Sequence, residues 1–174
     1  MKNKIFFIAL FLCVLAYINA YADSDNRLYL QGVRAAKNGE PDVAFMNFKI
    51  FMESAGESKF AQNALFAIGE YYFSISNYDE AFSAFSRFIQ DYPRSKARIF
   101  ALSYLLEIAK KQKNITLAEK IEKAIVSARQ VVLLFAESKE SKYLSSLFKK
   151  HKAVYFIDRV DFYIDDVFFT KARY

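Results

Sequence analysis

The chain has 174 residues, 54% of them hydrophobic and 25% charged, with a formal net charge of +6 and one cysteine. A lone cysteine excludes an internal disulfide framework, so the fold has to rest on its core, and ~150 residues can bury about 70% of their unfolded surface. The modest positive balance suits an anionic lipid, a cell-wall polymer or an acidic protein surface.

In chain order, the first expectation is an export signal over 1–22. Lys2 and Lys4 precede an apolar run from Ile5 to Ile18, and Ala20-Tyr21-Ala22 forms a small-x-small cleavage site before Asp23. The run is shorter than the ~20 residues of a spanning helix. Cys13 sits deep inside the apolar region, not after small residues, so lipidation is not expected. The expected product is a periplasmic chain without cysteine or tryptophan, meeting the outer membrane only through partners. That compartment argues against nucleic acid.

All four glycines (Gly32, Gly39, Gly56, Gly69) and both prolines (Pro41, Pro93) lie at or before residue 93. The remainder lacks the usual turn residues of an all-β arrangement, which predicts long helices throughout. Gly39-Glu40-Pro41 makes a turn, with Pro41 suited to a first helical position. Asn77-x2-Glu80 and Thr116-x2-Glu119 resemble capping boxes. Ser95 can cap the helix carrying Leu102, Leu105, Leu106 and Ala109.

The helices repeat. Leu28-x3-Gly32-x2-Ala35-x8-Ala44-x3-Phe48-x2-Phe51 returns as Leu65-x2-Ile68-Gly69-x2-Tyr72-x8-Ala81-x3-Phe85-x2-Phe88, with Gly32 and Gly69 37 positions apart. Small residues fall where two helices touch, so Gly69 is expected against Ala81. A degenerate third copy keeps Ala118 but puts Glu122 at the Phe48/Phe85 position. The repeats span 25–58, 62–95 and 99–130, leaving a C-terminal extension over 131–174. Ser141 to Lys150 reads as a short amphipathic helix. From Ala153 to Lys171 two periods compete. Val160, Phe162 and Ile164 alternate with Asp161, Tyr163 and Asp165 as in a strand, whereas Ala153, Ile157, Val160, Ile164 and Val167 fit a helix. The missing turn residues favour the helix over a β-hairpin.

Catalytic chemistry has little to draw on. His151, in Lys149-Lys150-His151-Lys152, reads as a solvated surface residue. No nucleophile has a histidine partner, and no metal-ligand spacing or phosphate loop is present. Asp158, Asp161, Asp165 and Asp166 lack a calcium-loop frame. A non-enzyme without cofactor or metal is expected. Stacked helix pairs curve and line a concave groove with their first helices. On this frame the groove carries Tyr29, Val33, Lys37, Phe66, Glu70, Phe73, Ser103, Glu107 and Lys110. Aromatic at one end and charged toward the other, it suits a protein or peptide segment held by aromatic anchors. The alternative is a structural component that contacts anionic membrane or cell-wall polymer through the basic C-terminal region.

Region 26–128 resembles tetratricopeptide repeat proteins of the bacterial envelope, in the style of BamD-type and CpoB-type repeats. The likeness rests on Gly69-Glu70-Tyr71-Tyr72 and Ala81-x3-Phe85-x2-Phe88-x3-Tyr92-Pro93-x-Ser95-x-Ala97. It implies an all-α fold, a short right-handed solenoid of antiparallel helix pairs, and a scaffold role in envelope assembly or maintenance.

Overall fold

The computed structural model describes residues 26–54, 58–127 and 139–173. The expected signal and its cleavage site lie outside these residues. Among the described residues six helices come first: α1 (26–37), α2 (Pro41–Ser54), α3 (Ala61–Ser74), α4 (Tyr78–Asp91), α5 (Arg98–Lys111) and α6 (Ile115–Ser127).

Local chemistry sets several of the boundaries. Gly39 turns the chain after α1 with φ +78°, and Pro41 opens α2, where its missing N–H costs nothing. Asn77 caps α4 by accepting the Glu80 N–H at 3.5 Å. Asn114, not Thr116, caps α6 by accepting the Leu117 N–H at 3.1 Å. Ser95 does not cap α5, whose N-cap is Ala97 with no side-chain cap; the Ser95 hydroxyl instead accepts the Ala97 N–H at 3.2 Å in the preceding turn.

From α2 onward, each helix packs on the next. The repeat spacing returns as a repeated contact. A Cβ on Gly69 would meet the Phe85 ring at 2.8 Å, and one on Gly32 would meet Phe48 at 2.6 Å. Each glycine therefore makes room for a phenylalanine one helix on.

The all-α expectation fails after α6. Strands β1 (Lys139–Leu144), β2 (Lys150–Tyr155), β3 (Arg159–Ile164) and β4 (Val167–Arg173) form an antiparallel sheet in the order β1-β2-β3-β4. Neither the helix expected at 141–150, nor the one at 153–171, nor a simple hairpin describes this region. The turns contain neither glycine nor proline. Phe148 (φ 61°), Asp165 (φ 50°) and Asp166 (φ 64°) adopt the left-handed conformation usually left to glycine or asparagine. Asp165 and Asp166 alone join Ile164 to Val167, with positive φ at both positions as a two-residue hairpin loop demands.

Strands β2 and β4 follow a period of two, whereas β3 also buries Asp161 between Val160 and Phe162. His151, Ala153 and Tyr155 are buried, as are Val160, Phe162, Thr170 and Ala172. Across the register Tyr143 pairs with His151, Ala153 with Phe162, and Phe162 with Thr170, so these residues share one face. A register shift between Phe162 and Tyr163 lets Phe169 pack against the helices too, on Phe73 and Tyr104. The sheet lies across α1, α3 and α5, and β4 also touches α6.

Candidate functional site

The residues expected to line an open groove meet the chain's own sheet. The Tyr29 hydroxyl on α1 is 2.8 Å from the Ser146 hydroxyl in the β1–β2 turn. Phe66 on α3 makes edge contacts with Tyr143 and His151, at centroid separations of 5.1 and 5.5 Å. Phe73 packs edge-on against Phe169 at 5.6 Å and Tyr104 at 5.0 Å. Lys110 donates to the Thr170 hydroxyl at 3.1 Å and to the Lys171 carbonyl at 2.7 Å. Its pKa is lowered by burial, against the pull of Glu122 and Glu107.

Tyr29, Phe66, Glu70 and Ser103 are buried, and Val33, Phe73 and Glu107 are half-buried. Only Lys37 and Lys110 count as exposed. Ser103 donates to the Phe100 carbonyl within its own helix at 2.7 Å, and Glu107 pairs with Lys111 at 3.7 Å. The face is aromatic, as expected, but it is occupied.

At its centre lies a polar cluster. Glu70 on α3, Tyr104 on α5 and His151 on β2 converge with side chains almost fully buried. His151 Nε2 is 3.1 Å from Glu70 Oε1 and 3.2 Å from the Tyr104 hydroxyl, which also donates to Oε1 at 3.3 Å. On the other side of the ring, His151 Nδ1 is 3.1 Å from the Lys149 carbonyl. A carbonyl only accepts, so Nδ1 carries the hydrogen. Glu70 Oε2 has no hydrogen-bond partner among the described residues.

Burial, and then the nearby Glu70 carboxylate, holds the Tyr104 phenol well above its usual pKa. Tyr143 is raised by the same two causes in the same order, with Tyr29 adding to them. His151 is thus the opposite of a solvated surface residue. Its alternation with Ala153 and Tyr155 between Lys150 and Lys152 was the signal for burial, available only on a strand assignment.

Glutamate, histidine and tyrosine are the side chains of acid–base catalysis, and here all three are almost fully buried beneath aromatic rings. Phe66 and Phe100 each lie 5.5 Å from the His151 ring, and Tyr143 lies 5.9 Å away. Among the described residues, no cluster of three or more histidine, cysteine or acidic side chains could hold a metal, and no helix is long and apolar enough to cross a membrane. The aspartates are spoken for singly: Asp158 and Asp161 on Arg159, Asp165 on the Lys150 N–H, and Asp166 on Lys152.

The helical side carries surface features of its own. On α2, Val43, Met46 and Ile50 are 49, 52 and 44% exposed, on the side away from buried Ala44, Phe48 and Phe51. A cavity of about 620 Å³ lies between the start of α3 and the α4–α5 connection, lined by Asn63, Tyr92, Arg94 and Tyr143 among others. In comparison with known proteins, no family model and no curated sequence matches the chain.

Proposed function

We propose that the protein is a non-enzymatic adaptor that binds a protein segment on the outer face of α2. The observation that carries this reading is the row Val43, Met46 and Ile50. Spaced three and four residues apart, they form one helical stripe, and each is about half exposed although the same helix buries four residues on its other side. An apolar stripe edged by Lys49 and Glu53 is the surface that a partner's amphipathic helix or extended segment recognises. The inner face of α1, α3 and α5 packs against the sheet, which supports the outer face over the expected groove as the partner surface. Export of the adaptor is supported by the basic, apolar and small-residue order of its first 22 residues.

The test is a photocrosslinking amino acid placed at Met46 and, for comparison, at Arg87 on α4, in living cells. The expected result is one adduct of discrete mass from Met46, absent from Arg87 and lost when Ile50→Glu is added, with an unchanged melting temperature. Identical adducts from both positions, or none from Met46, would overturn the assignment.

A further inference from the structure

The end of the sheet formed by the β1–β2 and β3–β4 turns carries exposed apolar side chains. Leu144, Phe148, Val167 and Phe168 lie at this end and are 58, 41, 69 and 53% exposed. Leu144 pairs with Lys150, His151 with Ile164, and Ile164 with Val167, so both turns project from the same edge. Four strands at ~4.8 Å spacing spread these side chains over about 15 Å. Lysines surround them. One row across the outer face reads Lys142, Lys152, Tyr163 and Phe168, and Lys149 and Lys150 flank the first turn.

Phe148 supplies an independent observation. It is a bulky aromatic held at φ 61° and left exposed in a turn where glycine would be free of strain. Strain at an exposed residue points to a use for that side chain.

We propose that this tip docks on an anionic lipid bilayer. The apolar side chains enter the headgroup boundary, and Lys142, Lys149, Lys150 and Lys152 remain at phosphate level with their stems against the apolar surface. Asp165 and Asp166 share the tip, but Asp165 is engaged with the Lys150 N–H and Asp166 with Lys152, which leaves four lysines against two aspartates. Lys142 is paired with Glu140, and its side chain is 72% exposed. Exposed pairs of this kind contribute little and exchange readily with lipid phosphate. A projecting tip fits a flat bilayer better than a groove-filling partner, and four exposed apolar side chains have no role on a hydrophilic polyanion.

The chain has no tryptophan, so one can be placed as a local reporter. Phe168→Trp reads the tip, and Ile157→Trp reads the β2–β3 turn at the other end of the sheet, where Ile157 is 83% exposed. The full-length chain is mixed with phosphatidylglycerol–phosphatidylcholine vesicles, with phosphatidylcholine vesicles, and with lipid-free poly(glycerol phosphate). Because the reporter is local, binding through residues 5–18 alone leaves it silent. The expected result is a blue shift of the Phe168→Trp emission, and quenching by brominated lipid, with anionic vesicles only. Adding Phe148→Gly should weaken this response about tenfold while the melting temperature stays level or rises. Lys149→Glu with Lys150→Glu should weaken it at least as much at low salt. An unmoved Phe168→Trp emission, equal shifts at Ile157→Trp, or a Phe148→Gly protein that binds like its parent would each overturn the proposal. So would a response to the polymer equal to that with anionic vesicles.

Discussion

At the residue scale, the Glu70–Tyr104–His151 cluster concentrates the electrostatic risk of the fold. A buried pair is costly to break because the surviving partner is left without compensation, at about 3–5 kcal/mol. Replacing both members by apolar residues removes the need for compensation. Glu70→Leu and His151→Phe alone should each lower stability by about that amount, and the double variant should be more stable than either. Urea unfolding of the four proteins measures the coupling, and simple additivity would show that the pair is not energetically linked. Tyr104 gives the site a pH signature. The unfolded chain releases its phenolic proton near pH 10, whereas burial and Glu70 keep the folded state protonated to higher pH. Above about pH 10 the folded state therefore holds more protons. Stability should fall with rising pH, Tyr104 alone contributing a limiting slope of about 1.4 kcal/mol per unit, and Tyr104→Phe should remove that share. None of this cluster was legible as a unit. The helical position of Glu70 puts it on the inward face, but His151 sits 81 residues later on a strand whose sequence reads as a helix end.

At the element scale, the helices were legible because their boundaries carry ordinary signals: Gly39, Pro41 and Asn77 act as their chemistry dictates. The sheet was not, because its turns are built against preference. A non-glycine residue in the left-handed region costs on the order of 1–2 kcal/mol, so a stretch without glycine or proline reads as turnless. Phe148, Asp165 and Asp166 adopt that region all the same. The correct signal was the alternation of Val160, Phe162 and Ile164 with Asp161, Tyr163 and Asp165, which the helical spacing of Ala153, Val160 and Ile164 concealed. The repeated glycine contact makes a sharper prediction. Phe85 is fully buried and stacked on Tyr104 at 4.5 Å, so it cannot retreat from a Cβ at 2.8 Å. Gly69→Ala should therefore cost about 1–3 kcal/mol through overpacking, although alanine is the better helix former. A Gly69→Ala protein that melts higher than its parent would mean the ring has room to yield.

At the scale of the whole molecule, the sheet and helices share one core, and Phe66 is where they meet. Its ring touches Phe85, Phe88 and Tyr104 on the helical side and Tyr143 and His151 on the sheet side. Around it Tyr29 ties α1 to the β1–β2 turn, and Lys110 ties α5 to β4. With the inner face of the helices so fully engaged, removing the sheet would expose Phe66, Phe73, Phe100 and Tyr104 together, a patch of the kind a monomeric chain rarely leaves open. Helices and sheet should therefore unfold in a single transition. Phe66→Ala leaves a cavity at the junction and should cost about 3–5 kcal/mol, lowering the thermal midpoint without splitting the transition. The measurement pairs helical ellipticity at 222 nm with hydrogen-exchange protection of the β2 and β3 amides across a denaturant series. Coincident loss in parent and variant is expected. If the β2 and β3 amides instead exchange well before the helical signal falls, the helical layer holds without its sheet, and the inner face becomes a surface that a partner strand could take over.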